Sequence, residues 1–307
     1  MTTTVIADSE LGRIVFGCGN FGGLGSSPAL RDKGDDRERA LALLDHAREL
    51  GLTRFDTANT YGGGVSETVL GAWLARQEAS FRSRIEVATK VGNPVGCPPG
   101  ERPLSSAQVA HHLDTSLRRL RLEQIGLYYL HEFDPATPLE ETLEAVSLAL
   151  AAGKIARFGV SNATLDDLLA VLRLADGPLA AAFTHVQNGF NRLQTGDLDG
   201  VIPLVRKHGL RYVAFSPLAG GLLSGKYRLD QPAAPGTRLA AAPALFADLM
   251  TPATFAAIAE LQRLADERGW PLPAAALRVV LDTPGVDSLI IAPRSVEQFA
   301  AYGIGAG

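Results

Sequence analysis

Residues 125–161, "IGLYYLHEFDPATPLEETLEAVSLALAAGKIARFGVS", carry the pattern that decides the fold. "IGLYYLH" (125–131) is a short, nearly unbroken apolar run of strand length that ends on an imidazole. "PLEETLEAVSLALAAG" (138–153) reads as a helix that stops at glycine. "IARFGVS" (155–161) is a second strand, ending on a hydroxyl. Strands that are apolar on both faces and joined by one helix belong to a parallel sheet.

The same unit recurs along the chain. "RIVFG" (13–17), "LTRFDTA" (52–58), "IEVATKV" (85–91), "FTHVQ" (183–187), "LRYVAFSPL" (210–218) and "VDSLIIA" (286–292) bring the expected strands to eight. Between them, helical spacing is expected over 35–50, 66–77 (capped by Ser66), 105–120, 165–175, 198–209, 254–269 and 273–282. A long Gly/Pro/Ala loop spans 219–250, and a short helix starts at Ser295. Eight such units in 307 residues fit an α/β chain folded as a (β/α)8 TIM barrel; a doubly wound open sheet is the rival. No linker or internal repeat divides the sequence, so 1–307 reads as one domain.

Hydrophobic residues make up 46% and charged residues 20%, enough for a large core. The net charge of -4 argues against nucleic acid or an anionic membrane as main partner. The opening "MTTTVIADSELGR" has neither the basic nor the apolar region of a signal peptide, and no apolar run reaches membrane-spanning length. Cys18 and Cys97 make no disulfide framework or metal spacing. A soluble, cytoplasmic protein is expected.

Two glycine-rich stretches invite nucleotide-binding readings that fail on context. "GCGNFG" (17–22) matches GxGxxG, but a loop rather than a helix follows, and the next strand-end acid, Asp56, is too distant. "GGLLSGKY" (220–227) nearly matches a phosphate loop, but Tyr replaces the hydroxyl that holds magnesium. A lysine there remains free to meet another phosphate.

In a barrel, strand C-termini share one mouth. Those ends are Asp56, Lys90, His131, Ser161 with Asn162, Gln187, and Phe215 with Ser216; Tyr61 follows Asp56 in "FDTANTYGGGVSETVLGA" (55–72). Singly, each could be a structural hydrogen bond; together they form an acid–base set. A phenol titrates near pH 10, and a cation lowers that value, so Lys90, oriented by Asp56, would tune Tyr61 toward neutral pH. His131 could donate to a carbonyl oxygen. Such a set suits C=O reduction, with hydride arriving from one side and a proton from the other. His46, His111, His112 and His208 lie in expected helices without metal spacing, and His185 lies in a strand.

At these residues the chain resembles the aldo-keto reductases. Matching segments are "FDTANTYGGGVSETVLG", "VATKVG", "YYLHEFDPATPLEETLEA", "AAGKIARFGVSN", "VQNGFN", "AFSPLAGGLLSGKY" and "IIAPRSVEQ", which together cover nearly the whole chain. The resemblance implies a (β/α)8 barrel that uses NADPH or NADH without a metal. It implies Tyr61 as acid–base, Lys90 and Asp56 as its tuning pair, and His131 as the residue that orients the carbonyl. It places Ser161, Asn162 and Gln187 on the nicotinamide carboxamide and Phe215 on the nicotinamide ring. Ser216, Leu218, Gly220 and Lys226 would line the pyrophosphate, with Arg238 clamped over it. Arg294 and Gln298 fall where the family meets the 2'-phosphate and adenine, which favours NADPH over NADH.

The chain also departs from the family pattern. Ala301 and Tyr302 stand where the family usually has Glu-Asn against adenine. The sequence ends at Gly307, so a shortened C-terminal tail and an open pocket, or one roofed by 219–250, are expected. Gly19, next to Cys18, falls where relatives often carry a bulky side chain near the substrate; both are expected to line it. A sugar-like or extended carbonyl substrate follows, with the direction of reaction open and monomer or homo-oligomer undecided. "SETVLG" and "SPLAGGLLSGK" also resemble potassium-channel beta subunits of the superfamily, so the second hypothesis is a cofactor-binding, redox-sensing partner protein.

Overall fold

The computed structural model describes residues 5–31 and 33–305. Both ends of the expected 1–307 domain, including the first four residues of the opening segment and Gly307, lie outside the described residues. The eight strands are β1 (Ile14–Gly17), β2 (Arg54–Asp56), β3 (Glu86–Val91), β4 (Leu127–Leu130), β5 (Phe158–Ser161), β6 (Phe183–Gly189), β7 (Arg211–Phe215) and β8 (Ser288–Ile291). They run in sequence order around a closed barrel. Every neighbouring pair is parallel, and β1 closes on β8 with Ile14 opposite Leu289 and Phe16 opposite Ile291. That closure excludes the open sheet.

The two-residue period of a strand sorts the side chains. Outward positions such as Phe16, Phe55, Tyr128 and Leu289 join one large core with the helices, where Phe55 and Trp73 rings lie 5.0 Å apart. Inward positions fill the barrel: Val15, Val213 and Ile290 form one small cluster, and Ala88, Leu127 and Tyr129 another. Above these, the same alternation turns Asp56, Lys90, Ser161, Gln187 and Phe215 toward the C-terminal mouth.

The expected helices are present with ends shifted by three residues or fewer, for example Arg37–Glu49, Ser106–Leu120, Leu139–Ala151 and Pro252–Arg268. Two expectations need correction. Ser66 is not a helix cap: Gly64 occupies that position in front of Val65–Leu74. Ser66 is instead fully buried, its hydroxyl 2.8 Å from the Cys18 carbonyl and 2.7 Å from Thr57 Oγ1. The 219–250 stretch is not one irregular loop; it folds into 3-10 turns at Ala219–Ser224 and Pro243–Leu249 and a short helix at Arg238–Ala241. Its apolar residues, among them Leu222, Leu239 and Phe246, build a second core with the helices Pro252–Arg268 and Leu272–Leu281. Among the described residues, no single helix is long and apolar enough to cross a membrane.

Candidate active site

Asp56 and Lys90 end adjacent strands and point inward, so they meet. Lys90 is fully buried, and its Nζ donates to Asp56 Oδ1 at 2.5 Å, to the Thr57 carbonyl at 2.8 Å and to Tyr61 Oη at 3.3 Å. All three protons of the ammonium are thereby used. The other Asp56 oxygen accepts from Gln187 Nε2 at 2.9 Å. Burial disfavours the charge on Lys90, but Asp56 and Tyr61 outweigh it, and the lysine is held above its ordinary value.

Tyr61 reaches the lysine because the chain after β2 continues along the end of β3: Thr57 N donates to the Ala88 carbonyl and Asn59 N to the Lys90 carbonyl. The turn "YGGG" then needs three consecutive positive φ values, 57°, 69° and 96° at Gly62, Gly63 and Gly64. A Cβ on Gly62 would stand 2.4 Å from the Phe21 carbonyl oxygen, so only glycine fits. The Lys90 ammonium lies 4.9 Å from the Tyr61 ring centroid, and the His131 ring stands edge-on to that ring at 5.6 Å. Burial lifts the Tyr61 phenol above its ordinary value, and the pull of Lys90 does not overcome it. The expected tuning toward neutral pH is therefore reversed in direction: Tyr61 is a firmly protonated phenol. His131 is pushed down to about 3, by burial first and Lys90 second, so its imidazole is neutral. Its Nδ1 is buried without a hydrogen-bond partner.

Asp56, Tyr61 and His131 line one cavity of about 910 Å³. So do Gly19, Ser161, Asn162, Gln187 and Phe215, and farther along Ser216, Leu218, Gly220, Lys226, Arg238, Arg294 and Gln298. Lys90 sits behind this lining and acts on it through its hydrogen bonds. Cys18 does not reach the cavity: Gly17 and Gly19 face inward, so the residue between them turns outward and is fully buried in the core. Gly19 lies against Tyr61, where a Cβ would be 3.5 Å from the ring.

Several groups have partners that the sequence did not disclose. Asn162 Nδ2 donates to the His131 carbonyl at 2.9 Å and Gln187 Nε2 to Asp56, so both amides brace the acid–base group. Arg294 donates to Asp35 Oδ1 at 3.1 Å and to the Lys33 carbonyl at 3.3 Å, and its backbone N–H donates to Gln298 at 2.7 Å. Lys226 rests 5.1 Å from the Tyr227 ring. Arg238 is largely desolvated, and its Nε is buried without a partner. Left-handed backbone at non-glycine residues concentrates on this groove: Asn162 (φ 54°), Ser216 (φ 52°) and Ala219 (φ 48°). Such conformations cost about 1–3 kcal/mol each and persist where the surroundings demand them.

The two glycine-rich stretches serve as turns. No helix opens after "GCGNFG"; a Cβ on Gly22 would stand 2.5 Å from the Val65 side chain. In "GGLLSGKY", Gly220 and Gly221 have φ of 64° and 101° and deliver Lys226 to the cavity. Ser26, Arg39, Asn93 and Glu132 also line it and were not anticipated. Glu132 carried a signal, since it directly follows a strand-end histidine; Ser26 and Arg39 lie in or after the first loop and carried none. Among the described residues, no group of His, Cys, Asp or Glu gathers that could hold a metal.

The aldo/keto reductase family model matches residues 13–302. The chain is 34% identical over 275 residues to the uncharacterized oxidoreductase YrpG of Bacillus subtilis, covering 86% of this chain and 80% of that one. It is 30% identical to L-glyceraldehyde 3-phosphate reductase of Escherichia coli K12, over 85% of this chain and 77% of that one. It is 36% identical to human aflatoxin B1 aldehyde reductase member 2 over 64% of this chain and 53% of that one. None of these three is named as a channel subunit, and the redox-sensing reading is not favoured.

Proposed function

The chain is an oxidoreductase of the aldo/keto reductase family, and on that premise we propose that it reduces the carbonyl of a small aldehyde, ketone or sugar to an alcohol, or runs the reverse. The cofactor is a nicotinamide dinucleotide, NADPH in preference to NADH. The observation that carries this reading is the Asp56–Lys90–Tyr61 chain with neutral His131 edge-on to the phenol, all at one cavity.

The cavity's chemistry fits a dinucleotide phosphate. Lys226, Arg238 and Arg294 line it, and the partnerless Arg238 Nε supplies a buried donor that calls for an anion. Ser161, Phe215 and Ser216 would hold the nicotinamide end, and Arg294 with Gln298 the adenosine end. When bound, the cofactor supplies the hydride.

The protein's own residues handle the proton. Tyr61, protonated because burial raises its pKa, gives the proton from Oη to the carbonyl oxygen as that oxygen gains charge. The phenolate left behind is stabilised by the ammonium of Lys90, 3.3 Å away, which Asp56 keeps charged. Neutral His131 donates one N–H to the same carbonyl oxygen and so fixes its position. Asn162 and Gln187 hold His131 and Asp56 in place.

Tyr61→Phe tests the reading. It should leave NADPH binding, followed by fluorescence, unchanged and lower carbonyl reduction at least about 100-fold, the usual scale of lost general-acid catalysis. Undiminished turnover would remove Tyr61 as the acid.

A further inference from the structure

The cavity is divided by charge. Its cations, Arg39, Lys226, Arg238 and Arg294, line the groove between the end of β7, the end of β8 and the helix Arg37–Glu49. Of these, Arg238 is felt at Tyr61. The lining contributed by the loop after β1 and by the ends of β3 and β4 includes Leu24, Ser26, Asn93 and Glu132 and, among the described residues, no cation. The Ser26 hydroxyl is 2.7 Å from Thr60 Oγ1, one residue before Tyr61.

Glu132 is half-buried and immediately follows His131. Asn93, just past β3, donates to Glu132 Oε1 at 2.6 Å, and its own Oδ1 accepts from Val95 N at 3.1 Å. The carboxylate is therefore oriented through one oxygen, and its other oxygen has no hydrogen-bond partner among the described residues. The remaining acid of the lining, Asp56, is already paired with Lys90. An oriented carboxylate accepts strong, charge-assisted hydrogen bonds from hydroxyl groups. In a half-dry site it repels anions at close range.

We propose that this part of the lining selects uncharged, hydroxyl-bearing carbonyl substrates against phosphorylated or carboxylated ones, with Glu132 as the residue that sets the preference. The inference rests on the carbonyl-reductase reading above and deepens it.

Glyceraldehyde and glyceraldehyde 3-phosphate form a matched pair of probes, with 4-nitrobenzaldehyde as an uncharged reference. The wild-type protein should show kcat/KM at least about tenfold higher for glyceraldehyde than for its phosphate, with the difference in KM. Glu132→Gln should narrow that ratio and Glu132→Lys should invert it, while the ratio of glyceraldehyde to 4-nitrobenzaldehyde falls in both. Reduction of 4-nitrobenzaldehyde together with a wild-type preference for the phosphate overturns the inference alone. So does a ratio that neither variant moves. No NADPH consumption with any of the three probes overturns the carbonyl-reductase reading and the inference with it.

Discussion

Lys90 is a fully buried ammonium whose three donors all find oxygen. That arrangement explains how a barrel interior tolerates a charge: the cost of desolvation is offset by Asp56 and by hydrogen bonds to neutral acceptors. The same burial acts on its neighbours in opposite senses. It raises the Tyr61 phenol and lowers the His131 imidazole to about 3, so both are neutral across the working range. A pH profile follows. The rate of carbonyl reduction should be level between about pH 5 and 9, because the phenol and the ammonium are both held above their ordinary values and keep their protons there. A step near pH 6.5 that disappears in His131→Gln would show a charged imidazole and contradict this. Asp56, Tyr61, Lys90 and His131 could be read from sequence because each is a polar group closing an apolar strand or its loop. The direction of the tyrosine's shift could not, because it depends on how much water reaches the ring.

At the scale of elements, the tyrosine loop is held by a buried polar network behind it. Glu67, with no exposed surface, accepts from Thr89 at 2.7 Å and from Arg119 at 3.1 Å. Arg119 also donates to the Asn59 carbonyl, two residues before Tyr61. A Cβ on Gly64 would collide with the Arg119 guanidinium at 2.3 Å, so the turn and the network need each other. Glu67→Ala leaves Thr89 and Arg119 without their acceptor and should destabilise the fold by about 3 kcal/mol, read by urea unfolding. A change below about 0.5 kcal/mol would mean the network contributes little. Nothing in "SETVLGAWL" announces this role, since Ser and Glu at a helix start look like cap and first-turn acid. They are buried because β1 and the helix Ser106–Leu120 close over them, and no local pattern records that.

At the scale of the molecule, two histidines tie stability to pH. His131 and His185 are both lowered to about 3, burial being the first cause in each. Unfolded imidazoles titrate near 6.5, so below that pH the unfolded chain binds protons that the folded chain refuses. Stability is full above about pH 6.5 and should fall by about 1.4 kcal/mol per pH unit per histidine on the way down toward 3. His112, also lowered, adds in the same sense, and Asp35, whose carboxyl burial raises, opposes. Unfolding midpoints at pH 7.5 and 5.0 measure the slope, and His185→Gln should flatten it; an unchanged slope in that variant would assign the effect elsewhere.

Strand count, order and the alternation with helices were legible in the chain, because apolar runs of strand length between amphipathic helices leave few arrangements that bury both faces of a sheet. The meeting of Asp56, Tyr61, Lys90 and His131 at one mouth was legible for the same reason, since they depart from that apolar rule. Closure of β1 on β8 was implied by the family resemblance and not by the alternation itself, since it depends on strand tilt and register summed around the whole ring. The outward turn of Cys18, the burial of Ser66, the hold of Asp35 on Arg294 and the pairing of Asn93 with Glu132 all depend on residues 9 to 259 positions apart meeting at one end of the barrel. Periodicity specifies which way a side chain faces along its own strand; what it faces is set by the neighbouring strands and loops.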